Sequence, residues 1–437
     1  MLRKAIILVL GALSGAAAAQ PPAFDAQKAL ERLDALEAEN KRLSGEIAEL
    51  RQQLSAQTVS EERLQVQETR TAELDAKKVE SSQKMPVEIT GMLLFNAFRN
   101  GPYSGTTLSD PTTATAAPGQ SSTGATFRQT VLGLRFYGPD LPGGGKVSGS
   151  VYMDFLSGSL QPFNNLFRLR LATLDLAWKN TTVTVGQDKP IIAPREPTSL
   201  AQVGVSPLTG AGNLWQWQPQ ARVEQRFSLG EGNEIRAQAG VFESYEAGNT
   251  VPAQYATTVA LWRPAYEARV EFSHASGTRR FEIAPGYHES ASRVAGQSVA
   301  SRAVSLDWLA RVSSNIDFNG AWFAGKDLAG LGTLHQGFTI LPGGAAIPVH
   351  LDGGWGQLTF TATPRWSFHL FGGEEYDRAR DLLGNSVVRN VVYGGNAMWK
   401  LAPNVVTALE LSQDRTCYLI SGTRLNNHYD LALAYLF

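Results

Sequence analysis

Glu267-Ala268-Arg269-Val270-Glu271-Phe272, within Ala265–His274, alternates a charged residue with an apolar one at every step. Successive side chains of a β-strand point to opposite faces. Glu267, Arg269 and Glu271 therefore share one face, and Ala268, Val270 and Phe272 the other. Glu234–Phe242 repeats the pattern, with Ile235, Ala237, Ala239 and Val241 opposing Glu234, Arg236 and Gln238. Lys146–Ser157 sets Val147, Val151, Met153 and Phe155 against Ser148, Ser150, Tyr152 and Asp154. A period of two marks half-buried strands. The charged face cannot fill a dry core, because unpaired buried charge is very costly. Two architectures remain: a sandwich with one wet face, or a barrel with an apolar outside and a polar lumen.

Counting outward from this segment favours the barrel. Between 88 and 437 the pattern gives sixteen strands, an even number. Long connections are expected at 100–125, 158–165, 188–219, 244–264, 289–299, 326–351, 376–386 and 415–423. Short ones are expected at 138–145, 179–180, 230–232, 275–277, 313, 364 and 401–403. Strict alternation of long loops and tight turns is the signature of an outer-membrane barrel. An even count puts both ends of the barrel on the short-turn, periplasmic side. The charged face also holds Arg135, Asp154, Arg222, Glu224, Arg226, Glu282, Asp307, Arg311, Arg365 and Glu410. The other face holds Trp178, Leu306, Trp308, Trp322, Trp366, Phe368 and Leu370. Several of these aromatics fall near strand ends, where interfacial girdles lie.

The composition excludes other classes. The 437 residues are 18% charged with a net charge of −1, which argues against a nucleic-acid partner. A single cysteine, Cys417, rules out a disulfide framework and Cys-rich metal sites. Beyond the extreme N-terminus no apolar run is long enough for a spanning helix. Residues 1–19 read as a secretory signal peptide: basic Arg3-Lys4, apolar Ala5 to Leu13, and Ala17-Ala18-Ala19 as an A-x-A cleavage site. Residues 20–85 differ from the rest in charge and period. Leu33, Asn40, Ile47 and Leu54 recur every seven residues, and Leu36, Leu43 and Leu50 follow three behind. This a/d seam predicts a periplasmic coiled-coil stalk, with Asn40 fixing register. Pro86 ends it, and 86–437 is the barrel.

In the last strand Tyr429, Leu431, Leu433, Tyr435 and Phe437 alternate on one face, and the chain ends on the aromatic. This resembles the C-terminal assembly signal of bacterial outer-membrane barrels, which implies recognition by the barrel-assembly machinery. The whole of 87–437 resembles sixteen-stranded bacterial porins. With a coiled coil in front it looks like the trimeric DcaP-like group. Asp175-Leu176-Ala177-Trp178, a tight turn and Val183-Thr184-Val185-Gly186-Gln187 are similar to a stretch shared by that group and the phosphate-selective porins. The resemblance implies a homotrimer in outer-membrane lipid. It also implies that the third long loop, here 188–219 with five prolines, folds inward as a constriction, placing Lys189, Arg195 and Glu196 near it.

Charge then bears on the solute. An anion channel needs a ladder of Lys and Arg, whereas here the signs interleave: Arg222, Glu224, Arg226 on one strand, Glu267, Arg269, Glu271 on another. A mixed lumen suits passive diffusion of small hydrophilic solutes. Arg168 and Arg170 conflict in parity with Asp175, which a bulge or rim position would resolve. No H-E-x-x-H, G-x-S-x-G or Walker loop is present, and the six histidines are scattered. No enzyme activity, cofactor or metal is expected. The alternatives are a structural anchor whose coiled coil tethers the membrane to the cell wall or periplasmic partners, and an outer-membrane hydrolase assembled from separate strands.

Overall fold

The computed structural model describes residues 86–437 apart from 106–108, 158–164, 244–259, 295 and 335–336, and before them only Glu39, Arg42 and Gly45. Those three are helical and exposed. The signal peptide and the seam positions Leu33, Leu36, Asn40, Leu43, Ile47, Leu50 and Leu54 lie outside the described residues.

Among the described residues of Pro86–Phe437 nineteen strands form. They are β1 (Val87–Asn100), β2 (Ser122–Thr126), β3 (Val131–Leu141), β4 (Gly145–Ser157), β5 (Leu166–Ala177), β6 (Thr181–Asp188), β7 (Gln218–Gly230), β8 (Asn233–Phe242), β9 (Ala260–Ser276) and β10 (Arg279–Val294). There follow β11 (Gln297–Arg311), β12 (Ile316–Lys326), β13 (Phe338–Ile340), β14 (Ala346–Pro348), β15 (His350–Thr361), β16 (Trp366–Asp377), β17 (Val387–Ala402), β18 (Val405–Tyr418) and β19 (Gly422–Leu436). β13 and β14 are a small hairpin within a loop. The others form one antiparallel sheet in chain order, closed where β1 pairs with β19 from Met92↔Leu436 to Asn100↔His428. Because β2 and β3 both pair with β1, they occupy one place in the wall, so the barrel has sixteen strands. Closure leaves no unpaired edge, which is what a sheet in hydrocarbon requires.

The wall is oily outside. Tyr429, Leu431, Leu433 and Tyr435 are each about half exposed, whereas Asp430, Ala432 and Ala434 between them are buried. Phe437 closes the seam: its N–H donates to the Gly91 carbonyl at 3.1 Å, and Gly91 N–H donates back at 2.8 Å. Trp366 and Trp399, beside the short turns of β16 and β17, stack with ring centroids 5.4 Å apart, as an interfacial girdle would.

Three expectations are corrected. The connections at 289–299 and 415–423 are not long loops. β10 and β11 run on as one hairpin paired as far as Val294↔Gln297, and β18 and β19 turn at 419–421. Their alternation continues past the stretch needed to cross, and ladder hydrogen bonds extend with it. The strand expected at 126–137 is interrupted at 127–130, between the pairs Asn96↔Thr126 and Met92↔Val131; these four residues face three of β1, and the one extra residue lets Gln129 turn into the interior, where it is fully buried. Thirdly, the inward charges Glu267, Arg269, Glu271, Glu282, Asp307 and Glu410 do not stand in open water: each is at least 95% buried, because a loop covers them.

Candidate functional site: a loop folded into the barrel

That loop is 189–217. Its side chains and backbone bond inward residues from most of the wall. Ile192 N–H donates to Glu267 at 3.1 Å, Thr198 N–H to Gln357 at 2.6 Å, and Ser199 Oγ to Glu410 at 2.7 Å. Across the lumen, Asn96 donates to the Leu200 carbonyl at 2.8 Å and Asn390 to that of Gly210 at 3.0 Å. Gln129 is a clamp: its oxygen accepts from Val203 and Gly204 N–H, and its amide donates to the Ala201 carbonyl. The prolines keep the path extended and spend few N–H groups, while wall side chains satisfy those that remain.

Apolar contacts seat the loop. Ile192, Ala193 and Leu214 pack with Phe323 and Leu351 of the wall and with Leu328 and Leu331 of the 327–349 loop. Leu208 and Ala211 pack on Trp355, Phe371 and Val392. Each large side chain so buried contributes roughly 1.5–3 kcal/mol. Gly212, in the left-handed region at φ 95°, lets the loop backbone touch the wall; a Cβ there would run into the Gly354 backbone.

The sequence-predicted residues fall into three groups. Arg195 reaches across to β9, β10 and β11: its Nε bonds Asp307 at 2.8 Å, and its Nη2 bonds Glu282 and lies 3.5 Å from Glu271. Arg269 donates to the same Asp307 through Nε at 2.7 Å and to Glu271 at 2.5 Å, and Arg236 donates to Glu271 at 2.7 Å. Burial alone would lower Arg195, but hydrogen bonds from it to Glu282 and Asp307 outweigh that and hold it above its ordinary value. Glu267 belongs to a separate contact, bonding His288 Nδ1 at 2.9 Å.

Lys189 and Glu196 form the second group, an ion pair at 2.8 Å. Ser206 Oγ donates to the other Glu196 oxygen at 2.8 Å. Burial would push Glu196 up; the Lys189 ammonium, with bonds from Lys189 and Ser206, overcomes it and leaves the carboxyl below its ordinary value. Arg222, Glu224 and Arg226 form the third group. Arg222 pairs with Asp188 at 2.6 Å and Arg226 with Glu224 at 2.7 Å, with half of the Arg226 side chain exposed.

One further inward constellation is hidden from strict alternation. Asp154, fully buried, accepts from Arg168 at 2.6 Å and lies 3.4 Å from Arg170. Both guanidiniums stand over the Trp217 ring, 5.1 and 4.7 Å from its centroid. A bulge between Tyr152↔Leu171 and Met153↔Leu169 brings both arginines inward. The parity conflict with Asp175 was the signal, and the bulge is its cause.

No protein-family model matches the sequence, and no curated protein matches it. Solved structures do. The outer membrane channel DcaP of Acinetobacter baumannii has a TM-score of 0.64 at 14% identity, covering 80% of this chain and 97% of that one. This chain has the fold of the outer-membrane porins. An anion-selective porin from Comamonas acidovorans has a TM-score of 0.52 at 13% identity, covering 81% and 100%. A loop-deletion mutant of OmpT, an outer membrane protein of Vibrio cholerae, has 0.50 at 8%, covering 80% and 99%. Identities this low speak for the porin fold and not for a solute.

Proposed function

We propose that the protein is an outer-membrane porin: a channel through which small hydrophilic solutes diffuse, narrowed by the 189–217 loop. One observation carries the reading. In a closed sixteen-stranded barrel a belt of large apolar side chains is exposed on the outside, while the buried carboxylates and guanidiniums face in, the reverse of a soluble barrel. Lys189, Arg195 and Glu196, with Arg222, Glu224, Arg226, Glu267, Arg269 and Glu271, then set the field along the path. Cations and anions alternate and pair, so little ion selectivity follows. Residues 1–19 serve export, 20–85 form the periplasmic coiled coil, three chains associate, and Phe437 with its outward neighbours marks the barrel for assembly.

Planar-bilayer recording of the purified protein tests this. Steady ion-conducting steps are expected, with a reversal potential near zero in a salt gradient, and complete absence of current would reject the channel. Arg195→Ala, which unties the loop from Asp307 and Glu282, is expected to raise single-channel conductance.

A further inference from the structure

One group of outward charges takes no part in the lumen. Glu289 of β10 faces out beside Tyr287, whose hydroxyl donates to one carboxylate oxygen at 2.9 Å. Arg263 of β9 and Arg302 of β11 both reach the other oxygen, at 2.5 and 3.2 Å. Two guanidiniums thus share a single oxygen, and among the described residues neither has the two-pronged partner its geometry favours. Lys326 of β12 is the register partner of Arg302. Among the described residues, Glu243 at the end of the neighbouring β8 forms no ion pair with them. Arg389 differs: it holds Glu374 one-to-one through two bonds of 2.6 and 2.9 Å.

The depth of this group decides what can meet it. Glu289 lies ten residues beyond Arg279, the start of β10, and Arg302 nine before Arg311, the end of β11. Lys326 lies ten beyond Ile316. A tilted strand crosses the hydrocarbon in about 9–11 residues, so these charges emerge at the headgroup level on the side away from the 277–278 turn. Tyr266, the register partner of Glu289, heads an outward groove of about 490 Å³ lined also by Val183, Val223, Ala239 and Val241. A cationic site and an apolar furrow therefore adjoin on the lipid face.

We propose that Arg263 and Arg302, assisted by Lys326, bind the phosphate of a phosphorylated glycolipid in the outer leaflet, with an acyl chain lying in the furrow below. Guanidinium forks match phosphate, and cations at the headgroup plane attract anionic lipid. The inference rests on the barrel's place in the outer membrane but not on conduction, so a silent channel leaves it standing.

Native mass spectrometry of the full chain in zwitterionic detergent tests it, with lipid A and enzymatically dephosphorylated lipid A as probes. Wild type is expected to retain lipid A, and Arg263→Ala/Arg302→Ala to retain at least tenfold less. Arg389→Ala should match wild type, and the dephosphorylated lipid should bind wild type no better than lipid A binds the double variant. Equal retention by the double variant, or equal binding of the dephosphorylated lipid, would overturn the proposal. So would loss of subunit association in the double variant, which would make the patch a contact between copies. If the double variant does not fold, Glu289→Gln decides: freeing both guanidiniums should keep or strengthen lipid A retention, and weaker retention refutes the site. A protein that holds no lipid of any kind would fail the membrane reading itself, a result distinct from indifference to phosphate.

Discussion

Two stretches of the inner wall solve the same problem differently. On β8–β11, carboxylates buried under the loop meet guanidiniums: Asp307 and Glu271 are held by Arg269, Arg236 and Arg195. On β18 and β19, Glu410, Asp414 and Asp430 are equally buried, yet their partners are amides and a hydroxyl. Glu410 accepts from Ser199 and Asn396, Asp414 from Asn426, and Asp430 from Asn96. Among the described residues no Lys or Arg forms an ion pair with these three acids. The first stretch is a charge network whose members cannot leave singly. The second is a hydrogen-bond network in which a neutral isostere would serve.

Five substitutions break or sharpen that contrast. Arg269→Met removes one of the guanidiniums shared by the buried Asp307 and Glu271, leaving Arg195 and Arg236, and should cost about 3 kcal/mol of barrel stability, read as the midpoint of denaturant unfolding in detergent. A cost under about 1 kcal/mol would mean that the network is not held by its charges.

Asp110, in the loop between β1 and β2, is a buried acid that accepts a hydrogen bond from Ser109 and forms no ion pair among the described residues. Burial raises its carboxyl to about 6, against the pull of Ser109, Arg168 and Arg128. The unfolded group ionises near pH 4. Between about 4 and 6 the folded chain keeps a proton that the unfolded chain releases, so stability falls as pH rises through that window. The loss levels off above it at roughly 3 kcal/mol, from 1.36 kcal/mol per unit. Asp110→Asn should therefore be more stable than wild type at pH 7.5 and indistinguishable below pH 4. A pH-independent difference would refute the assignment.

Glu410→Gln keeps an oxygen for both of its donors and should change stability by no more than about 1 kcal/mol. Glu271→Gln, the same edit on the charged wall, should cost on the order of 3 kcal/mol by weakening two guanidinium contacts. Equal effects would erase the distinction between the walls. Arg226→Ala, removing a half-exposed pair with Glu224, should lie within about 1 kcal/mol of wild type, and a larger loss would show that the mouth is as tightly coupled as the interior.

Alternation made the wall legible: Glu267–Phe272 and Tyr429–Phe437 put the expected residues on each face, because a strand's side-chain period is a local property. The inner contacts were less legible. Lys189 and Glu196 were singled out without their pairing, and Arg195 without Asp307, 112 positions away in the chain. Arg168 and Arg170 escape the pattern because one extra residue in a bulge reverses the parity of alternation.

Sequence alone determined the closed, outward-greasy barrel and its strand count, since period, turn residues and charge placement are written within a few neighbouring positions. Tertiary structure decided what fills the barrel. Whether an inward carboxylate meets water, an arginine or an asparagine depends on where the 189–217 loop comes to rest. That position is set by contacts such as Gln129 with Val203 and Leu208 with Phe371, between residues that no local pattern links.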